Sequence, residues 1–142
     1  MKDYLRRLEQ WGASCQEALY RLDGDEPLYR GLVFELAASD EVQQLGRWLD
    51  QKEYEKALRL SHSLKGAAGN LSLSPLAHSL QYMVECLRPD EQTGRRADEE
   101  TIRGAYRKVR YSWTEYQRII EEPGQPEPGN MMSECKTAFW EE

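Results

Sequence analysis

From Tyr4 to Ile120 the apolar residues of this chain recur at intervals of three and four, and no stretch alternates apolar with polar. The first pattern is one stripe of a helix with about 3.6 residues per turn, whereas a half-buried strand would need alternation. The chain is therefore expected to be all-α. Tyr4, Leu5, Leu8 and Trp11 give a first short helix that stops at Gly12. Ser14-Cys15-Gln16-Glu17 reads as a capping box, opening a helix that ends near Gly24. Asp25-Glu26-Pro27 supplies a cap, an acidic first turn and an early proline, with Leu28, Leu32, Leu36 and Val33 as the buried face that follows. Ser39-Asp40-Glu41 leads into a stretch with Val42, Leu45, Trp48 and Leu49 inward.

Further on, Ser74-Pro75 reads as an N-cap serine and a proline at the first helical position. Leu76, Leu80, Met83, Val84 and Leu87 stripe that helix, and Pro89 ends it. Residues 89–96 are a polar loop, and a long last helix runs from about Ala97 to Glu121. It carries Ile102, Ala105, Tyr106, Val109, Trp113, Tyr116 and Ile120. The simplest assembly is an antiparallel four-helix bundle with extra N-terminal helical elements.

At 142 residues the chain is one domain with a core large enough to do without disulfides. Residues 1–121 form the bundle, and 122–142 read as a Pro/Gly-rich linker with an irregular C-terminal tail. The run EEPGQPEPGN cannot continue a helix, and MMSECKTAFWEE beyond it either folds back on the bundle or serves as a docking peptide. A formal charge of −6 makes nucleic acid a poor partner, since neutralising phosphates takes a basic patch. No run of about 18 apolar residues and no signal peptide is present, so no membrane contact and a cytoplasmic location are expected. Three scattered cysteines without a C-x-x-C fit reduced thiols, and Cys86 reads as a small core residue. A helix directly after Met1 favours a free-standing protein, although one end of a larger sensor kinase would look the same.

The most informative stretch runs from Glu55 to Ser72, EKALRLSHSLKGAAGNLS. Ala57, Leu60, Leu64, Ala67, Ala68 and Leu71 fall on one core-facing stripe. His62 lies on the other side, with Glu55, Leu58 and Arg59 below it and Lys65, Gly66 and Gly69 above. Each interior glycine costs a helix roughly 1 kcal/mol relative to alanine. What glycine offers is a bare backbone that another surface can approach closely. Lys65, three residues on, reaches the same spot as the imidazole. This combination suits a histidine that receives a negatively charged group from another macromolecule. Arg59 either steers an acidic partner or is a plain exposed arginine, while Ser61, Ser63 and Asn70 read as structural or solvent-facing.

The segment His62-Ser63-Leu64-Lys65-Gly66-Ala67-Ala68-Gly69-Asn70-Leu71 resembles the H-x-L-K-G-A/S-A/S-x-N-L signature of histidine phosphotransfer (HPt) domains of phosphorelays. ALYRLDGDEPLYRGLVFEL, residues 18–36, resembles the family's first long segment, and the likeness spans roughly residues 14–120. The family often has glycine where Ser72 stands. The resemblance implies a phosphoacceptor His62 reacting at its outer ring nitrogen, with Lys65 as a compact positive charge on the phosphoryl group. It implies that Gly66 admits the partner's active-site loops, and that Leu58, Arg59 and Gly69 belong to the docking face. Response-regulator receiver domains would be the partners, bringing an aspartyl phosphate and the Mg²⁺, so this chain itself needs no cofactor. A sensor or hybrid histidine kinase would stand upstream. Phosphoryl transfer has a loose transition state, so alignment and electrostatics are the main demands on the carrier.

The chain has no G-x-x-x-x-G-K-[ST], no kinase glycine loop and no G-x-S-x-G. It is thus expected to be a stoichiometric phosphocarrier, not an enzyme that phosphorylates itself from ATP. The alternative is a module on the same fold that docks and sequesters a receiver without net transfer. A helical adaptor with a fortuitous motif would need the His62 face covered by the chain's own tail. His78 falls off the stripe of its helix and reads as solvated; no acidic or cysteine partners at ligand spacing suggest a metal site. The tryptophans and tyrosines are expected to be mostly core.

Overall fold

The computed structural model describes residues 2–121, and the expected linker and tail, with Cys135, lie outside them. The described chain is all-α. Helices α1 (Asp3–Trp11), α2 (Cys15–Arg21) and α3 (Glu26–Ala37) precede α4 (Glu41–Asp50), α5 (Tyr54–Asn70), α6 (Ser74–Leu87) and α7 (Glu99–Glu121). Helix α5 packs between α4 and α6, and α7 closes the ring by packing on α6 and α4. These four form the bundle. The N-terminal helices α1 and α3 lie against α7, with α2 between them.

Local chemistry sets most of the boundaries. Asp25 caps α3 by accepting the Leu28 N–H at 3.1 Å, and Asp98 caps α7 through the Thr101 N–H at 2.8 Å. The latter bond holds the Asp98 carboxyl below the usual carboxylate range. Ser14 occupies the N-cap of α2 but makes no side-chain cap bond, contrary to the capping-box reading. Its partner Glu17 is drawn instead to Ser72 and Arg21. Leu73 takes the N-cap of α6, placing Ser74 and Pro75 one position further in than expected.

The core is built from Leu45, Leu64, Leu76, Leu80, Met83, Leu87, Val109 and Trp113, all at most 3% exposed. Each such leucine contributes about 1.5–3 kcal/mol relative to full exposure. The stripe expected for α6 is buried throughout, and so is Cys86. Helix α3 differs. It buries Tyr29, Val33 and Ala37, while Leu28 and Leu32 are 46% and 36% exposed. Apolar residues occur on both its sides, so spacing alone could not choose a face. The choice falls to Tyr29, whose hydroxyl donates to the Leu71 carbonyl at 2.9 Å. Aromatic burial is likewise divided: Tyr29, Trp113 and Tyr116 are core, whereas Tyr20 and Tyr111 are 85% and 69% exposed.

Candidate functional site

Helix α5 carries the candidate residues, and its burial pattern fixes their direction. Ala57, Ser61, Leu64 and Ala68 are buried, one residue in every three or four. Ser61 thus belongs to the core stripe, whereas Leu60 and Ala67 sit at its half-buried edge. Opposite them, Arg59, His62, Ser63, Gly66, Gly69 and Asn70 are exposed. Leu58 and Lys65 are half-buried on the flank between His62 and the core, and Leu58 packs its inner side on the cluster.

That flank faces α6. Lys56 lies over the Trp48 ring at 4.6 Å, which marks the other side of α5 as the one turned to α4. On α6, Ser79 bonds Ser112 and Tyr82 lies under Lys108, so these mark the side turned to α7. The half-buried Ala77 and Gln81 are left to border the α5 strip, with His78 and Glu85 exposed beside them. His78 is solvated, as its position off the stripe suggested.

Among the described residues the approach to His62 is open. A Cβ built on Gly66 or Gly69 would meet nothing within 4 Å, so neither glycine serves close helix packing. Neither the His62 nor the Lys65 side chain engages a hydrogen bond or ion pair among the described residues. Side chains three apart on a helix have Cβ atoms roughly 5–6 Å from each other, so the ammonium can reach a group held on the imidazole. Glu55, one of the flanking residues, is tied away to Arg96 at 2.5 Å.

The end of α5 is anchored by Ser72 and Glu17 together with Arg21, which the sequence did not single out. Its last turn closes in a Schellman arrangement: the Leu73 N–H bonds the Ala68 carbonyl at 2.9 Å and the Ser72 N–H bonds Gly69 at 3.0 Å. Ser72 takes the left-handed position with φ 56°, the conformation that glycine adopts without strain. The departure from glycine at this position therefore falls on the one residue of the turn where glycine is favoured. Ser72 is held there by its side chain, which accepts from Arg21 at 2.8 Å and donates to Glu17 at 3.2 Å. Arg21 also donates to the Asn70 carbonyl at 2.7 Å and to Gly69 at 3.3 Å. A cation at a helix C-terminus opposes the negative end of the macrodipole while satisfying orphan carbonyls. These contacts span more than forty residues of sequence, so no local pattern announces them.

Among the described residues no group of three or more His, Cys, Asp or Glu side chains comes together to hold a metal ion. No helix among them is long and apolar enough to cross a membrane. What the α5 face offers is one exposed nucleophilic imidazole, one adjacent ammonium and a bare stretch of backbone. The family model described as Hpt domain matches residues 32–118. No curated protein and no solved structure matches the chain.

Proposed function

The chain belongs to the Hpt domain family, whose members carry phosphoryl groups in phosphorelays, and on that premise we propose that His62 is its phosphoacceptor. The observation that carries the assignment is the open exposed strip of α5, where His62 stands beside Lys65 and two glycines with free space above them. In the proposed step the outer nitrogen of a neutral His62 imidazole attacks the phosphorus of a receiver's aspartyl phosphate. The new N–P bond forms as the P–O bond breaks, and the carboxylate leaves with the electron pair. The ring's other nitrogen keeps its proton. Transfer to a second receiver reverses these changes.

Within this step Lys65 lies against the phosphoryl oxygens, where charge is spread in the loose transition state. Gly66 and Gly69 admit the receiver's loops, while Leu58 and Arg59 extend the contact along α5. Mg²⁺ belongs to the receiver's aspartate site, and no ligand set for it is needed here. The chain acts as a stoichiometric carrier. The sequestering alternative and the carrier part at one substitution. His62→Gln is expected to abolish transfer from a phosphorylated receiver while leaving receiver binding within about threefold. Transfer that survives His62→Gln would sink the assignment, and wild-type binding without transfer would leave the sequestering module.

A further inference from the structure

The seam between α4 and α7 lies outside the exposed α5 strip and holds a cleft of about 750 Å³. Its size falls in the range of small-molecule sites, roughly 300–1,000 Å³. In a chain of net charge −6, the cleft is lined by five basic side chains, Arg47, Lys52, Arg103, Arg107 and Arg110, against two acidic ones, Asp50 and Glu99. Arg103, Arg107 and Arg110 follow one another at i, i+4 and i+7 on α7, a column of like charges that is repulsive in an isolated helix. Glu99 answers Arg103 at 3.3 Å and Lys52 at 3.8 Å. No carboxylate pairs with Arg107 or Arg110 among the described residues, and both are exposed.

The inner wall is of a different character. Gly46 lets the Tyr106 ring cross α4, because a Cβ there would lie 2.4 Å from the phenol oxygen, and Tyr106 donates to the Val42 carbonyl at 2.8 Å. Trp113 also lines the cleft; it is 3% exposed, and its indole N–H has no acceptor among the described residues. A buried donor without a partner is rare in native folds and calls for one.

From this geometry we infer that the α4/α7 cleft binds a small phosphate-bearing molecule, its anionic groups on Arg107 and Arg110 and its organic body against Tyr106 and Trp113. Guanidinium forks match phosphate oxygens bidentately, and an aromatic wall accommodates a flat organic ring. The inference does not depend on His62, which lies on another helix.

Calorimetric titration of the full chain with ATP and, separately, with inorganic tripolyphosphate tests it. Saturable one-to-one binding is expected, weakened at least tenfold in Arg107→Gln/Arg110→Gln and unchanged in Lys108→Gln, which alters the Tyr82 side of α7. Tighter binding of ATP than of tripolyphosphate would show that the organic body is used; equal binding would show recognition of phosphates alone. Both support the site. The inference is overturned by no saturable binding of either probe at millimolar concentration, or by binding that the folded double variant retains.

Discussion

Arg21 donates to the carbonyl of Asn70 at 2.7 Å, so a residue of α2 closes the C-terminal end of the helix that carries His62. Residue 21 precedes the span 32–118 matched by the Hpt domain, and α2 thus reaches from outside that span to hold α5. Arg21→Ala removes bonds to Gly69, Asn70 and Ser72. At about 0.5–1.5 kcal/mol for a typical bond, and with Arg21 partly exposed, the net loss is expected near 1–2 kcal/mol. Thermal and denaturant unfolding measure it; an unchanged midpoint would show that the clamp contributes nothing.

Gly66 separates stability from function. With nothing within 4 Å of a Cβ there, Gly66→Ala is expected to stabilise α5 by about 0.5–1 kcal/mol, the helix-propensity difference. The same methyl group stands on the approach to His62, so phosphoryl transfer should slow roughly tenfold or more, about 1.4 kcal/mol of barrier. A variant that is both more stable and equally fast would remove Gly66 from the docking face.

Lys65 is assigned to the transition state more than to docking. Lys65→Ala is accordingly expected to lower the transfer rate about 10–100-fold while changing receiver affinity little, a rate effect of about 1.4–2.7 kcal/mol. Rapid-quench transfer kinetics beside equilibrium binding separate the two quantities. An equal loss in both would make Lys65 a docking residue.

Alkaline pH should unfold the bundle. Burial pushes the Tyr29 and Tyr116 hydroxyls well above the usual phenol value of about 10. Because their folded pKa values are raised, their contribution is fully present below pH ~10 and is lost as pH rises further, where only the unfolded chain releases the protons. Melting temperature is expected to fall above pH ~10, with these phenolates appearing only as the fold opens. A flat stability profile from pH 9 to 11 would contradict it.

The helices and the His62 face were legible because both rest on local spacing. Val42, Leu45 and the α6 stripe are inward as their intervals require, and His62 is exposed as its offset from Leu64 and Ala68 requires. The start of α3 and the burial of Val33 were legible but its inner face was not: Leu28 and Leu32 compete with Tyr29, and a long-range bond to Leu71 decides between them. For Ser61 residue type left a structural and a solvent-facing place open, and the fold takes the structural one, fully buried on the core stripe. The Arg21 clamp and the α4/α7 cleft arise only when distant segments meet, and the one local trace of either is the helical spacing of Arg103, Arg107 and Arg110.

The central claim is tested most directly by incubating the chain with a phosphorylated receiver domain and following it by intact mass and acid–base stability of the label. One added phosphoryl group, lost in acid, stable in base and absent in His62→Gln, is the expected result. A label that survives acid, or that persists in His62→Gln, would contradict phosphoryl acceptance by His62.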